Sequence, residues 1–296
     1  MEIYRIGFDA LGGHGEVVLV SESKKKAHAI ADLALKEIGR IEFKYSRYRP
    51  ESIVSRINAA AGLEFVEYDE ETAFLFQYAD TLYDNSGGVF DITSGGLRHV
   101  WDFGKSLLPD PVKLAEQLEL IGWNRVERQD KAVRLPVAGM EIDFGGFGKE
   151  YAADRAAAVV YEQGGRYGYV NLAGDIRLVG PKPDGSPWII GIQDPRHKER
   201  TIASIPLHAG ALATSGDYER FFEVDGHRYC HIIHPRSGYP VTFWRSVTVV
   251  APLALTAGSC STIAMLKEAD GLSFLEKTGM GYLAVDQFGK IYHRNS

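Results

Sequence analysis

Apolar side chains recur along this chain at two spacings, one typical of helices and one typical of strands. Between residues 23 and 43 they recur every three or four positions, which predicts an amphipathic helix capped by Ser23. Residues 3–20 alternate in polarity around a glycine-rich turn, which predicts a hairpin. The same reasoning predicts helices at 53–61, 70–86 and 256–267, and strands at 89–93, 125–135, 140–144, 167–172, 188–192, 202–207, 246–250, 281–285 and 290–293.

The most informative stretch is a short apolar run, 140–144, followed by a glycine-rich turn and a helical pattern that begins at Lys149. The free amides and the dipole at the start of a helix attract anions, and Lys149 adds a positive charge there. A phosphate-bearing ligand therefore fits this stretch. A tight strand-to-helix turn without any ligand fits the local pattern equally well.

Two familiar phosphate-binding loops are excluded by the residues themselves. A P-loop requires a glycine where Asp143 stands and a serine or threonine where Glu150 stands. The turn of Gly145, Gly146 and Gly148 also lacks the G-x-G-x-x-G spacing of a Rossmann loop.

Composition narrows the class of protein. The 296 residues contain no repeat, linker or low-complexity segment, so a single domain over residues 1–296 is expected. With 45% hydrophobic and 24% charged residues the chain is typical of soluble globular proteins. A net charge of −6 argues against a nucleic-acid partner, and no apolar run is long enough to span a membrane. The N-terminal residues lack the pattern of a signal peptide, so the expected location is the cytoplasm.

Two cysteines, Cys230 and Cys260, form no C-x-x-C pair. A thiolate metal site or a redox motif is therefore not expected, and both residues are interpreted as small buried side chains.

Seven segments, taken together and in this order, resemble the ApbE-like FAD:protein FMN transferases. They lie at residues 44–58, 90–93, 101–104, 142–154, 171–176, 213–218 and 231–240. The resemblance implies an α+β fold, a single compact domain of antiparallel sheets with packed helices, and an FAD cleft between a sheet and the glycine-rich turn. It also implies transfer of FMN from FAD to a Thr or Ser hydroxyl of an acceptor protein, with release of AMP and use of Mg²⁺.

The resemblance also assigns roles to individual residues. His231 becomes the candidate general base, because a histidine can accept a hydroxyl proton near neutral pH. A structural histidine held by hydrogen bonds is the alternative at this position. Thr214, Ser215 and Asp217 either shape the cleft or serve only as turn residues. The expected FAD contacts are Leu11, Tyr48, Val89, Phe90, Asp91, Asp143, Lys149 and Ile232.

The chain departs from the family pattern at the metal site. Members place an aspartate four residues before a threonine on the late helix, and both bind Mg²⁺. Thr262 is that threonine, but Gly258 stands at the aspartate position; the third ligand is the main-chain carbonyl of Gly146. Because Mg²⁺ relies on carboxylate and phosphate oxygens, loss of this carboxylate predicts weaker metal binding. An FAD-binding protein that has lost transfer, or an FAD pyrophosphatase, therefore stays open, and Gly258→Asp is expected to restore transfer in the first case.

Three further departures are Glu150 and Ala173 in place of glycines, and His234 in place of an aspartate. His227, His231 and His234 suggest a different metal site as an alternative, since imidazole suits transition metals. No thiolate or paired carboxylate supports that alternative.

Overall fold

A computed structural model describes residues 1–295 of the chain. Its α-helices are α1 (Lys24–Tyr45), α2 (Ile53–Ala59), α3 (Glu70–Ser86), α4 (Pro111–Leu118), α5 (Gly148–Glu162), α6 (Ala254–Leu266) and α7 (Gly271–Thr278). Short 3-10 helices lie at Ile92–His99, Trp123–Arg125 and Glu268–Asp270. The strands are β1 (Glu2–Ala10), β2 (Gly13–Ser21), β3 (Val66–Glu67), β4 (Glu127–Gln129), β5 (Ala132–Arg134), β6 (Gly168–Leu172), β7 (Asp175–Gly180), β8 (Trp188–Gln193), β9 (Thr201–Leu207), β10 (Ala211–Gly216), β11 (Phe221–Val224), β12 (His227–Cys230), β13 (Trp244–Ala251), β14 (Gly281–Asp286) and β15 (Ile291–Arg294).

An eight-stranded antiparallel sheet organises the domain, in the order β1-β2-β6-β7-β10-β13-β14-β15. Helices α1, α5 and α6 cover one face and form the main core with it. The β8-β9 hairpin covers part of the other face and encloses a second, smaller core. Consecutive side chains of β2 point to opposite faces of the sheet, so Val17 packs in the main core and Val18 in the smaller core. This is the α+β architecture that the family resemblance implies.

Most predicted elements are present, but residues 89–93 do not form the expected strand. Gly87 and Gly88 both have positive φ, at 71° and 81°, and so turn the chain out of α3. The Asp91 carboxylate then accepts the Thr93 amide at 2.7 Å and starts the 3-10 helix Ile92–His99. A side chain that binds its own backbone has displaced the strand.

The prediction of a strand at 140–144 is also wrong. The Asn58 side-chain amide binds both main-chain groups of Ile142, accepting its N–H at 2.7 Å and donating to its carbonyl at 3.0 Å. A side chain thus takes the place of a neighbouring strand, and the segment reaches the glycine turn without joining a sheet. Among the described residues no helix is long and apolar enough to cross a membrane.

Candidate active site

The glycine turn precedes α5 and is held mainly by its own atoms. The Gly145 amide donates to the Asp143 carboxylate at 3.0 Å, and the Gly148 amide donates to the Phe144 carbonyl at 2.6 Å. Two amides expected to face an anion are therefore already engaged. A Cβ on Gly146 would lie 2.8 Å from the ring of Phe90, so only glycine fits there without a shift of that ring.

Arg47, Tyr48 and Asp143 form a polar cluster on one side of the turn. The Arg47 guanidinium makes an ion pair with the Asp143 carboxylate and donates to the Tyr48 hydroxyl at 3.1 Å. Tyr48 is 75% exposed, so its ring is open to a ligand. Two of the predicted FAD contacts, Tyr48 and Asp143, are thus brought together by an arginine that was not singled out.

On the other side of the turn, Lys149 is anchored rather than mobile. Its ammonium lies 2.6 Å from the carboxylate of Asp175, a buried residue at the start of β7. Burial opposes the charged ammonium, but the nearby carboxylates of Asp175 and Glu150 outweigh it, so the pKa of Lys149 is raised. The lysine therefore keeps its charge and a fixed position.

Glu150 is the unexpected residue of the site. It is 5% exposed, and its Oε2 atom is buried without a hydrogen-bond partner among residues 1–295. Burial, followed by the charge of Asp175, raises the pKa of Glu150. Its side chain lies against Gly258, where a Cβ would come within 2.5 Å of Glu150 Cγ. Glu150 thus places a carboxyl group beside Gly258, the position where the family resemblance expects an aspartate.

Hydroxyl groups line the neighbouring surface between β10 and α6. Ser215 Oγ lies 3.0 Å from Thr262 Oγ1 and 2.7 Å from Ser261 Oγ. Thr262 stands four residues after Gly258 on α6, so the two positions share one face of the helix. The predicted metal threonine therefore lies on the helix face that meets Glu150. Thr214 bonds instead to Thr248 of β13, and Asp217 is paired with Arg196, both structural contacts.

His231 follows β12, and its main-chain amide donates to the Arg220 carbonyl at 2.9 Å. The ring is open to solvent, but the protein around it disfavours the charged form, and Arg220 and Lys149 repel the imidazolium. These effects lower the pKa of His231, so the ring is neutral at pH 7 and can accept a proton.

The remaining predicted FAD contacts lie around this centre. Leu11 occupies the β1-β2 turn with a φ of 52°, and its amide donates to Glu42. The adjoining Gly12 carbonyl accepts from Arg220 at 3.1 Å, which ties the turn to the segment before His231. Ile232 is half-buried against the main core. Val89, Phe90 and Asp91 are all buried.

His234 has a structural role. Its Nδ1 atom accepts the Arg236 amide at 3.2 Å, and its main chain closes the turn with Tyr239 and Gly238. A carboxylate oxygen at this position would accept the same amide, so the histidine replaces an aspartate as a turn cap. Within residues 1–295 no three His, Cys, Asp or Glu residues converge as a metal site, so the alternative of a histidine metal site is wrong. Cys230 and Cys260 are buried and free, as predicted.

Three residues of this centre were missed as functional candidates: Arg47, Glu150 and Asp175. Arg47 and Asp175 lie inside the segments that carry the family resemblance, so their positions were visible. Glu150 and Gly258 are both departures from the family pattern, and the occurrence of both in one chain is the sequence signal at this place.

Comparison with known proteins agrees with this geometry. The FAD:protein FMN transferase of Vibrio cholerae is 31% identical over 248 residues, covering 81% of this chain and 74% of the relative. The enzyme of the same name from Treponema pallidum is 30% identical over 271 residues, covering 84% and 75%. The crystal structure of an ApbE protein from Thermotoga maritima matches with a TM-score of 0.91 and 35% identity, over 99% of this chain and 97% of that one. The apo flavinyl transferase ApbE of Pseudomonas stutzeri matches with a TM-score of 0.86 and 26% identity, over 100% and 95%. A profile of the ApbE family matches residues 11–284, and the chain belongs to the ApbE family.

Proposed function

We infer that this protein is an FAD:protein FMN transferase. It moves the FMN part of FAD to a Thr or Ser hydroxyl of an acceptor protein and releases AMP. The observation that carries this inference is a fixed cation, Lys149, at the start of a helix that follows a glycine turn, in a chain whose His231 ring is neutral at pH 7. Relatives that bear this enzyme name match most of the chain.

The proposed reaction is a displacement at the FMN phosphorus of the FAD pyrophosphate. The oxygen of the acceptor hydroxyl bonds to that phosphorus while the bond from the phosphorus to the bridging oxygen breaks. AMP leaves with the bridging oxygen, and the hydroxyl proton passes to the neutral ring of His231. The anchored Lys149 ammonium provides a positive charge for the pyrophosphate in the ground state and as charge develops.

Binding of FAD is assigned to the residues on both sides of the turn. The exposed ring of Tyr48 and the Arg47–Asp143 pair form one end of the proposed cleft. The Leu11 turn, tied to the segment before His231 through Arg220, forms another part. The ring of Phe90 packs against Gly146 of the glycine turn. The Asp91 carboxylate already accepts two main-chain amides, and Val89 is buried. We therefore propose that Val89, Phe90 and Asp91 contact FAD through their main chain.

A divalent cation, Mg²⁺ by family resemblance, belongs to this proposal. The residues present fit such an ion, because a buried carboxylate oxygen without a partner is the kind of atom that a hard cation satisfies. The proposed ligands are the Thr262 hydroxyl, the main-chain carbonyl of Gly146 and a carboxylate. When bound, the ion would neutralise negative charge on the pyrophosphate.

The test is to follow the fate of FAD. The protein is mixed with FAD and an acceptor domain that carries a flavinylation threonine, with and without Mg²⁺, and both AMP release and acceptor mass are measured. Transfer predicts AMP together with one FMN unit added to the acceptor. FMN and AMP released without acceptor modification would make the protein a pyrophosphatase, and bound but intact FAD would make it a flavin-binding protein.

A further inference from the structure

We propose that Glu150 is the carboxylate ligand of the divalent cation in this protein and replaces the aspartate that the family resemblance places at position 258. The proposal rests on the proposed function, because it names a residue of the same metal site. In this proposal the glycine at 258 leaves the space that the Glu150 side chain occupies, and the protein keeps its ability to bind the metal ion.

The first argument is steric. A Cβ placed on Gly258 would lie 2.5 Å from Glu150 Cγ and 2.8 Å from Glu150 Cδ, distances that no real Cβ tolerates. The Glu150 side chain therefore fills the volume that an aspartate at 258 would begin to occupy. A side chain at 258 would require Glu150 to shift, so in this chain a carboxyl group on α5 occupies the place that one on α6 would otherwise approach.

The second argument is that one oxygen of Glu150 lacks a partner. Its Oε2 is buried and accepts no hydrogen bond from the described residues, and none of them forms an ion pair with Glu150. The nearest cation, Lys149, is committed to Asp175 at 2.6 Å. Leaving a buried carboxylate oxygen unpaired costs free energy unless something outside the protein pairs with it. A proton serves when no ion is bound, in keeping with the raised pKa of Glu150, and a divalent cation is the partner that would replace it.

The third argument is the chemistry of the neighbours. Thr262 lies one helical turn from Gly258, and its hydroxyl is 3.0 Å from that of Ser215. One carboxylate and neutral oxygens are a suitable set for Mg²⁺, which keeps several waters and takes its other ligands from substrate phosphates. Such a set contains a single acidic residue, so it does not require a group of three or more His, Cys, Asp or Glu residues, and none is found within residues 1–295.

Binding of Mn²⁺, a spectroscopic substitute for Mg²⁺, tests the proposal without relying on activity. Free Mn²⁺ is measured by electron paramagnetic resonance during titration of the full chain, with and without FAD. Glu150→Gln keeps the shape of the side chain and is expected to weaken Mn²⁺ binding by at least about tenfold, since even indirect partners of a metal typically contribute that much. Glu37→Gln removes a half-buried carboxylate on α1 and is the matched control, expected to bind as the parent does.

The exchange itself is tested by Glu150→Gly, Gly258→Asp and the double variant that combines them. The double variant places the carboxylate on α6 with room for it, and is expected to recover Mn²⁺ binding lost in Glu150→Gly. Unchanged binding in Glu150→Gln, or a double variant no better than Glu150→Gly, would overturn the proposal. Flavin transfer by the parent protein is scored separately, so a failure of this proposal is distinct from a failure of the proposed function.

Discussion

Glu150 and Asp154 stand one turn apart on α5, and both contact α6, but only the carboxylate of Asp154 has its full set of partners among the described residues. Asp154 accepts the Ala254 and Leu255 amides, each at 2.9 Å, and pairs with Arg177 at 3.2 Å. It caps a helix that has no side-chain cap of its own. Glu150 has an unpaired oxygen and no ion pair among the described residues. A carboxylate that satisfies the fold has its partners in the chain, whereas one kept for a ligand does not.

The largest expected effect is that of a change at His231, the candidate general base. His231→Ala is expected to lower the rate of FMN transfer by about 10²- to 10⁴-fold, the usual contribution of a general base. FAD binding is expected to persist, since a general base is needed only for the proton transfer. Single-turnover transfer and FAD titration measure the two effects. His227→Ala, which changes an exposed histidine on β12, is the control.

The pH profile of the parent protein sharpens this prediction. Transfer needs neutral His231, so kcat/KM falls as pH drops through its pKa. Because that pKa is lowered, the acid limb is expected below the ordinary histidine value of about 6.5. Equal loss of FAD binding and transfer in His231→Ala would instead make His231 a structural residue.

Gly258→Asp is expected to give the next largest effect, at the Glu150 end of the α5–α6 contact. The new side chain would overlap Glu150, and overpacking of this kind costs about 1–3 kcal/mol of unfolding free energy. Repulsion between two carboxylates adds to that cost. Urea denaturation measures the loss, and FMN transfer is expected to fall rather than rise. A stable variant with faster transfer would show that Gly258 is a defect in this chain.

Replacing the carboxylic acid by its amide at Asp154 and at Glu150 tests directly whether the two carboxylates have different roles. Asp154→Asn leaves an α6 amide facing an NH₂ group, which is expected to cost about 1–3 kcal/mol. This loss should be the same in EDTA and in Mg²⁺. Glu150→Gln is expected to keep its stability in EDTA but to lose the rise in Tm that Mg²⁺ gives the parent, because only a protein that binds the ion gains from it. Identical behaviour of the two variants would remove the distinction.

The sequence predicted the periodic elements well, because burying one face of a helix or strand imposes a spacing that can be read directly. It failed at 89–93 and 140–144, where Asp91 and Asn58 bind main-chain groups that a strand would have used. Asn58 and Ile142 lie far apart along the chain, so spacing carries no sign of this contact.

The candidate site, like the fold, was predictable only where the information lies in local motifs. Lys149, Thr262 and His231 are predicted from motifs, and their roles stay predictions; the structure shows Lys149 anchored by Asp175 and Thr262 beside Ser215. The contact between Glu150 and Gly258 joins positions more than a hundred residues apart, and its meaning depends on how α5 packs on α6. A single sequence shows that both positions are unusual, but only the packing shows that one fills the space left by the other.

The smallest expected effect concerns His234, whose side chain caps a turn as that of Asp154 caps helix α6. His234→Ala removes the acceptor of the Arg236 amide and is expected to cost about 1 kcal/mol, whereas His234→Asn keeps an acceptor and is expected to cost less than about 0.5 kcal/mol. Burial and the nearby Arg236 lower the pKa of His234.

Because the folded state binds this proton less readily than the unfolded state does, the stability contributed by neutral His234 is present above the unfolded pKa and is lost as pH falls below about 6.5. Urea denaturation of the parent and His234→Asn at pH 7 and pH 5 is therefore expected to shift the difference in favour of the variant at pH 5. A difference that does not change with pH would show that His234 does not act through its neutral ring, and the analogy with the fixed carboxylate of Asp154 would fail.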